Sequence, residues 1–492
     1  MSLKITHPQY AEKFNAWTAM RDFYKGEAKV KDAGVTYLPP TAGMVLDGME
    51  PNALGYKLYQ AYKDRAVFPD YVKEGVEALI GLIHQHDAKI ELPERMKYLL
   101  EKATVDGESL MMLLRKINEE QLITGRLGLM VDLPQNPDPA NPEPFISIYV
   151  AESIRNWDDG ANIAGLNTLN MVVLDESGMV RDGFTWNYKE KYRVLELREG
   201  LYEQGAFEGD NYVQDSMQIP MLRGKTLDKI PFVFINSKDL ISTPDNPPLM
   251  GLGQLCLSIY RGEADYRQNL HMQGQDTLVT VGGIRNPGAV PGQDDDAVRV
   301  GAGSRIDVEM GGDAKFIGVS STGLSEQRNS LENDRKRAEF KAGQLIGNQS
   351  IKNESGNAML ARLAAQTANL NQIALSSGEG LQTALRHIAT WMGEDPEKVK
   401  VTPNTEFTNA ASNAQELVYL MTARSLGAPL SMRSIHTSLK ERGYTQMDYE
   451  EEMKLVKKEG PNQTSQNQNE DPNNEDPSKN KNNQDGKTNS NQ

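Results

Sequence analysis

The most constraining feature of this sequence is a charged segment, residues 324–346, whose apolar residues recur mainly at every seventh position. Those residues, called the seam below, are Leu324, Leu331, Ala338 and Leu345. On a helix, a spacing of seven places side chains along one narrow line. Oppositely charged residues stand four apart beside that line, at Arg328/Glu332, Glu332/Lys336 and Arg335/Glu339. The pattern predicts a helix that packs on a neighbour along the seam and meets water or a polar wall elsewhere.

A very long helical pattern follows this segment. A mostly uncharged polar loop, residues 347–355, comes first and contains one lysine and one glutamate. Residues 357–392 then hold apolar side chains at spacings of three and four, which would form a helix of ~54 Å if it were straight. Ser377-Gly378-Glu379-Gly380 lies near the middle of this run and predicts a kink there.

Shorter helices are predicted elsewhere from the same spacing of apolar residues. Residues 71–86 and 106–122 each have one apolar stripe, and Asp106 and Gly125 stand where an N-cap and a stop are expected. Three further helices are predicted at residues 251–273, 411–426 and 431–442.

Strand patterns fill most of the region between the early helices and residue 251. Runs rich in β-branched and aromatic residues, separated by turn signals, predict an antiparallel β region. They lie at residues 145–150, 169–174, 184–202 and 231–235. Residues 277–320 are Gly-rich and again β-prone. The expected fold class is therefore α+β, with helix as the larger part.

Composition narrows the class of protein. The formal charge of −15 argues against a simple electropositive clamp for nucleic acid. Cys256 is the single cysteine, which excludes an internal disulfide and a thiolate metal cluster, and its place on an apolar stripe predicts a core position. The sequence has no apolar stretch of membrane-spanning length and no signal-peptide pattern, so we expect a soluble product made inside the cell. Residues 461–492 contain no aliphatic or aromatic residue and are expected to be a disordered tail.

The residue types that carry catalysis or bind metals do not assemble into a convincing site. His84, His86 and Asp87 form the densest cluster, but a helix would point the two histidines about 160° apart. Gly224-Lys225-Thr226 lacks the first glycine of a phosphate-binding loop, because position 219 is Ile219. Gly301-Ala302-Gly303-Ser304 and Asp294-Asp295-Asp296 are better explained as turns or solvated loop tips. We therefore predict no catalytic residue, no metal and no cofactor.

One basic triplet, Arg335-Lys336-Arg337, remains open to two explanations. It is interleaved with Glu332, Asp334 and Glu339, so an ion-paired helix surface is favoured over a phosphate clamp.

The order of the elements, and the local sequence that carries it, resemble the portal proteins of tailed bacteriophages. Ile230-Pro231-Phe232-Val233 and Asn246-Pro247-Pro248-Leu249 lead into a helix much as portals enter their first stem helix. The sequence from Thr124 to Asp132 is similar to a podovirus-type portal subfamily. The likeness covers about residues 1–455 and is sharpest over 228–395.

The resemblance implies a mainly α phage-portal fold divided into named regions. These are a wing at 1–248 with its β-rich part at 145–235, a first stem helix at 249–273, a clip at 274–320, a second stem helix at 321–346, a tunnel loop at 347–355, a long kinked wing helix at 356–395, a crown-like helical region at 396–460, and the tail at 461–492.

The family further implies a ring, usually of twelve identical subunits, at one vertex of the capsid. Double-stranded DNA passes along its axis during packaging and ejection. The large terminase subunit docks on it first and head-completion or tail adaptor proteins follow, while major capsid and scaffolding proteins surround it. No membrane is involved, and the subunit is made in the host cytoplasm before it enters the virion.

The resemblance also assigns roles to particular residues. The channel-facing tunnel loop would contain Asn348, Gln349, Ser350, Ile351, Lys352 and Asn353. The surface of the second stem helix would present Arg328, Arg335, Lys336, Arg337 and Lys341, and the seam would pack between subunits. Negative net charge suits such a conduit, because a wall that neutralised many phosphates would hold the DNA and stall it.

Two other functions stay open at this point. The chain could be another ring-forming adaptor of a capsid or tail, without the DNA-gating role. It could also be a metal-dependent hydrolase that uses His84, His86 and Asp87.

Overall fold

A computed structural model gives the fold of the chain. It describes residues 2–134, 143–160, 169–222, 224–273, 277–281, 311–317, 321–346, 356–405, 407, 420–441, 445 and 447–459. The structure is 51% helical and 19% strand, so the predicted α+β class with helix as the larger part is confirmed.

The helices and strands have the following bounds. The α-helices are α1 Pro8–Lys25, α2 Glu27–Asp32, α3 Ala42–Leu46, α4 Leu54–Arg65, α5 Tyr71–Ile83, α6 Leu110–Ile123, α7 Met250–Gln273, α8 Ser321–Ile346, α9 Gly356–Met392, α10 Met432–Glu441 and α11 Tyr449–Glu459, and residues 420–425 are also helical. The strands are β1 Lys89–Glu91, β2 Arg126–Asp132, β3 Phe145–Val150, β4 Ile154–Asp158, β5 Met171–Asp175, β6 Gly178–Asp182, β7 Thr185–Lys189, β8 Lys191–Arg198, β9 Leu201–Glu208, β10 Phe232–Asn236, β11 Thr277–Val281, β12 Asp313–Ile317 and β13 Lys400–Thr402.

The chain divides into two compact units, Met1–Phe407 and Thr408–Gln492. In the second unit α10 and α11 pack together through the ring of His436, whose centroid lies 5.4 Å from that of Tyr449. Lys440 near the end of α10 and Asp448 just before α11 form an ion pair. The sequence predicted α10 but not α11.

A three-stranded antiparallel sheet, ordered β10–β2–β3, forms the centre of one core in the first unit. Every residue of β2 is buried, and α6 and α9 pack on the sheet. Gly128 is required on β2 because a Cβ there would overlap the Cζ atom of Phe232 and lie 2.9 Å from its Cε1 atom. The small β1–β13 pair and the last turns of α9 complete this core.

A four-stranded antiparallel sheet, ordered β4–β5–β8–β9, adjoins that core. The next strands along the chain, β6 and β7, pair only with each other. The sequence placed one β region over 184–202, whereas the structure has three strands there, because Glu190 separates β7 from β8 without a turn and a tight turn at Glu199-Gly200 ends β8.

A second core is helical and is built from α1, α4, α5, α7 and α8. Met20, Phe23, Val76, Cys256 and Ile259 are among its buried side chains. The predicted core position of Cys256 is therefore confirmed, and burial raises the pKa of its thiol to about 12.

Several predicted helix details differ from the structure. The N-cap of α6 is Ser109 and not Asp106, because the Ser109 hydroxyl accepts a hydrogen bond from the Met112 backbone N–H at 3.2 Å. The α5 helix ends at Ile83, three residues before the predicted limit. The α9 helix is assigned without interruption from Gly356 to Met392, and the kink at 377–380 stays a prediction. Its glycines allow close packing there, because Gly378 lies against Pro403 and Gly380 against Ile235.

Candidate functional site

The most distinctive part of the first unit is an antiparallel pair of long helices, α7 and α8. Gly251 accepts a hydrogen bond from Lys341 near the start of α7, and Asn269 donates one of 3.1 Å to Gln327 near its end. Between them, Gly262 faces Leu331. Since the contacts move forward on α7 as they move backward on α8, the two helices run in opposite directions along their whole described length.

The helix pair continues into a pair of strands. Thr277 pairs with Ile317 and Val281 with Asp313, so β11 and β12 form an antiparallel ladder directly beyond the helix ends. We call the combined element, α7–β11–β12–α8, the stem hairpin. The described part of the predicted clip is this ladder, and the remainder of 274–320 lies outside the described residues.

One half of the stem hairpin is fixed to the helical core. Tyr62 on α4 donates a hydrogen bond of 2.6 Å to Asp265, and Arg65 donates one of 2.7 Å to Gln268. Tyr71 on α5 reaches Glu339 on α8 at 3.4 Å. None of the side chains at 267–272 is fully buried, and Leu270 and Met272 are exposed. The strand end of the hairpin therefore projects from the core.

The seam is covered by the chain's own helices. Leu324, Leu331 and Ala338 are buried, and Leu331 and Ala338 belong to the same core as Cys256 on α7. A Cβ at Gly262 would come within 2.9 Å of Leu331, so glycine allows the two helices to approach closely here. The side chain of Leu345 lies outside the described residues. The apolar line that the sequence predicted between subunits is thus used between helices of one subunit.

A buried carboxylate joins the two helices beside the seam. Glu263 on α7 is only 3% exposed and forms ion pairs with Arg335 of α8 and with Arg267 one turn later, the latter at 2.5 Å. The predicted Arg335/Glu339 pair does not form, because the buried Glu263 carboxylate takes Arg335. A carboxylate removed from water needs a cation far more than an exposed one does.

The rest of the predicted stem surface is exposed. Arg328 pairs with Glu332 at 3.6 Å as the spacing predicted, and Arg337 pairs with Asp334 at 3.4 Å. Lys336 is exposed and makes no ion pair with a described residue, so the predicted Glu332/Lys336 pair is absent. Over all of α8 there are five basic side chains and four acidic ones, a net charge of +1.

The α9 helix follows the stem hairpin and ties it to the first core. Ser376 donates its hydroxyl to the backbone oxygen of Asn236 at 2.7 Å, and Gly380 packs on Ile235 of β10. The segment between α8 and α9, with the predicted loop residues Asn348, Gln349, Ser350, Ile351, Lys352 and Asn353, lies outside the described residues.

A buried arginine that the sequence analysis missed secures the entry to α7. Arg126 lies between the rings of Trp157 and Phe234, with its Cζ atom 4.4 and 4.5 Å from the two centroids. It donates a hydrogen bond to the backbone oxygen of Ser242, in the segment that leads from β10 into α7. A single arginine immediately before the apolar run 127–131 was the available signal, because a buried cation needs a partner.

The alternative metal site has no geometric support. His84 points to Asn118, 3.0 Å away, and burial lowers the pKa of its imidazole, whereas His86 is exposed. Among the residues that the structure describes, no three His, Cys, Asp or Glu side chains come together as metal ligands would. Lys225 forms an isolated antiparallel bridge with Leu222, and Gly224 beside it has a positive φ of 74°. Asp294, Asp295, Asp296 and the segment from Gly301 to Ser304 lie outside the described residues.

No helix within the described ranges combines the length and apolar character needed to cross a membrane.

Comparison with known proteins gives one family match, and it coincides with this site. A family described as a domain of unknown function, DUF4055, matches residues 248–392, which run from the start of α7 to the end of α9. No curated protein matches the chain. Two solved structures with similarity to the chain are the neck of an empty GTA particle computed with C6 symmetry and the neck of a native GTA particle computed with C12 symmetry. The first is 13% identical to this chain, with a TM-score of 0.36, and the match covers 81% of this chain and 92% of that chain. The second is 12% identical, with a TM-score of 0.37, and the match covers 75% of this chain and 89% of that chain.

Proposed function

We propose that this chain is the subunit of a portal ring in a tailed, phage-like particle, through which double-stranded DNA is packaged and ejected. The observation that carries the proposal is the stem hairpin: two long antiparallel helices, held by a helical core at one end and projecting at the other, followed directly by α9. A projecting helix pair with charged outer faces suits a position among identical copies around an axis.

In the proposed ring, subunits meet through the charged faces of the stem hairpin. Leu324, Leu331 and Ala338 of the seam are already buried within each subunit, so we assign the faces that carry Arg328, Lys336 and Arg337 to a neighbour or to the channel. Ion pairs between such faces are individually weak. A ring that relies on them alone would therefore depend on salt, and a larger apolar contact elsewhere is required.

The charge distribution suits DNA that must slide. The stem helices are close to neutral, because α8 carries a net charge of +1 and α7 has as many basic as acidic residues. Each phosphate that a protein neutralises releases counterions and adds to binding, so a strongly basic wall would retain DNA. Lys352 in the segment after α8 is proposed as a transient contact to the duplex, together with its neighbours from Asn348 to Asn353.

The proposed ring has partners on both sides. The strand end of the stem hairpin, β11–β12, would receive the large terminase subunit during packaging and an adaptor or tail protein afterwards. Capsid and scaffolding proteins would surround the wing and crown regions. The role is structural: the chain supplies a conduit and a docking surface, and the ATPase partner supplies the chemistry.

The test is the assembly state of the purified full-length chain. We expect native mass spectrometry to give particles near twelve times 54.7 kDa, and electron microscopy to reveal rings with an axial opening that admits duplex DNA. A monomer or dimer at micromolar concentration would refute the proposal. A ring whose axis is closed by protein, or a ring absent from DNA-filled particles, would favour an adaptor instead.

The loop contact is tested separately, with Lys352→Glu against a control of the same charge change, Lys398→Glu, at an exposed lysine outside the stem hairpin. We expect Lys352→Glu to alter DNA packaging or retention in particles while rings form normally. Packaging that is unchanged in Lys352→Glu would refute the assignment of this residue to the channel.

A further inference from the structure

A second hairpin of the chain extends from the four-stranded sheet, and every strand residue of its outer half is exposed except Gly178, which is half-buried. In the four-stranded sheet, Asp175 at the end of β5 pairs with Tyr192 on β8, and three residues further out Gly178 pairs with Lys189. The register does not shift, so β5–β6 and β7–β8 form one long hairpin. Its inner half has β4 and β9 on either side, whereas its outer half, β6–β7, has no described strand on either edge. We call this outer half the ribbon.

The two faces of the ribbon differ sharply. Residues paired across an antiparallel ladder share a face, and alternate pairs point to opposite faces. Met179 with Tyr188 and Arg181 with Trp186 therefore form one largely apolar face. Val180 with Asn187 and Asp182 with Thr185 form the other, mainly polar face. At the tip, Gly183 turns the chain and leaves the ring of Phe184 98% exposed.

An exposed ribbon of this kind is not a stable end state for an isolated chain. A two-stranded ribbon is marginal in water by itself, and free strand edges invite pairing. Trp186 and Tyr188 are 61% and 65% exposed, so the subunit itself leaves most of the aromatic face uncovered. Clustered exposed aromatic side chains mark an interaction surface.

The same chain carries a second, separate apolar surface. It consists of Val45 and Leu46 on α3 with Leu54 and Leu58 on α4, all exposed, and we call it the α3–α4 patch. The two helices are locked together because Gly55 lies directly against the backbone oxygen of Met44. This patch belongs to the helical core, whereas the ribbon extends from the sheet, so the two surfaces are distinct parts of the subunit.

We infer that the ribbon of each copy docks on the α3–α4 patch of the next copy in the ring. A closed ring of identical subunits uses a heterologous interface, in which two different surfaces of each subunit meet. This chain has two unpartnered apolar surfaces of that kind. Their charges are also opposite in sign. The apolar face of the ribbon carries the basic Arg181 and no acidic residue. Two exposed acidic residues, Asp47 and Glu50, and one exposed basic residue, Lys57, border the α3–α4 patch. The inference rests on the proposed ring and names the apolar contact that the stem faces lack.

Photo-crosslinking tests the contact directly. Phe184→p-benzoylphenylalanine keeps an aromatic group at the exposed tip, and rings are assembled from a mixture of isotope-labelled and unlabelled copies. We expect crosslinked peptides that join residue 184 to residues 42–58 and that combine labelled with unlabelled chains. Crosslinks within one copy, or to other segments of the neighbour, would overturn the inference.

Substitutions on the two ribbon faces give a second, independent measurement. Trp186→Ser combined with Tyr188→Ser removes the aromatic face, and Asn187→Ser on the opposite face is the matched control. All three side chains are exposed, so the fold of the subunit is expected to persist, with circular dichroism as the check. We expect the concentration needed for half-assembly to rise about tenfold or more for the double variant and to stay unchanged for the control.

The outcomes separate this inference from the proposed ring. Rings that form normally with the double variant, and that give no crosslink to 42–58, overturn the ribbon contact and leave the portal proposal standing. A wild-type chain that stays monomeric overturns both, because no neighbouring copy exists for the ribbon to meet.

Discussion

Truncation of Leu331 to alanine distinguishes a seam used within one subunit from a seam used between subunits. Leu331 is 6% exposed and packs on α7 at Gly262, inside its own chain. The substitution therefore removes a contact that a single subunit makes. Its cost must appear as a loss of stability in the subunit and must not depend on protein concentration.

The magnitude follows from the burial. A Leu→Ala change at a buried site costs about 2–5 kcal/mol, composed of lost transfer free energy and the cavity left behind. Leu331 lies near the edge of the helical core, where α7 can relax toward α8, so we expect about 3 kcal/mol. Since 1.4 kcal/mol is a factor of ten, the opening equilibrium of the stem hairpin rises by about a hundredfold.

The assay is hydrogen exchange of α7 and α8, followed at two protein concentrations that differ tenfold. We expect peptides from 250–273 and 321–346 to exchange about a hundredfold faster in Leu331→Ala at both concentrations. Leu375→Ala is the matched control, because Leu375 is 53% exposed on α9 and its truncation should change stability by less than about 0.5 kcal/mol. Faster exchange only at the lower concentration would refute the reasoning, because it would place the partner of Leu331 on another copy.

Three further results are expected. Gly128→Ala should destabilise the first core by about 3 kcal/mol in a urea titration, because the added Cβ collides with Phe232. Gly81→Ala is the control and should be neutral or slightly stabilising, because a Cβ at Gly81 has open space around it. Equal effects of the two substitutions would contradict the packing. Burial raises the pKa of Glu176, but its bonds to Arg193 at 2.6 Å, Lys191 and Tyr149 outweigh this and lower it to about 2, below its usual 4.5. The stabilisation from the ionised Glu176 is thus complete above pH 4.5 and is lost as the pH falls toward 2. Glu176→Gln should therefore lower the free energy of unfolding by about 3 kcal/mol at pH 7 and remove this loss of stability in acid. A variant whose stability falls with pH in parallel with wild type would refute the prediction. Cys256 should resist a thiol reagent in the native protein and react on unfolding, because burial raises its pKa to about 12, and rapid labelling of native protein would contradict its core position.

The sequence was a good guide where periodicity within one segment determined the structure. The α7, α8 and α9 helices lie almost where the spacing of apolar residues placed them, and the strand at 145–150 matches β3. These elements bury a continuous stripe or face, so local pattern and tertiary packing agree. At the N-terminus of α6 the sequence offers two polar residues that could be the N-cap, Asp106 and Ser109. The N-cap is Ser109, which stands immediately before the first buried leucine, Leu110.

The sequence was a poor guide where a partner had to be chosen between segments. A seven-residue repeat indicates that a helix has a neighbour along one line, but it does not say which helix, so α7 of the same chain remained unrecognised as that neighbour. The ion pair of Arg335 illustrates the same point. Spacing favoured Glu339, but Glu263, 72 residues earlier, is 3% exposed and therefore gains more from a cation. Gly262, next to Glu263, gave no local signal either, because its role is to allow Leu331 of α8 to approach α7 closely.

Both projecting hairpins follow one physical rule, and this links the proposed ring to the proposed contact. In each, the paired segments run from a region with neighbours into one without. The register of β5 with β8 continues unshifted into β6 with β7, which lie outside the four-stranded sheet. The α7–α8 pair lies on the helical core, and among the described strands β11 and β12 pair only with each other. The chain thus has two exposed extensions. The stem hairpin carries charged side chains on its outer faces with a net charge near zero, whereas the ribbon carries an aromatic face. A stem that must let DNA slide gains from weak, charged surfaces, and so it is poorly suited to hold a ring together. Adhesion must then come from a surface away from the axis, and the ribbon with the α3–α4 patch provides the apolar area for it.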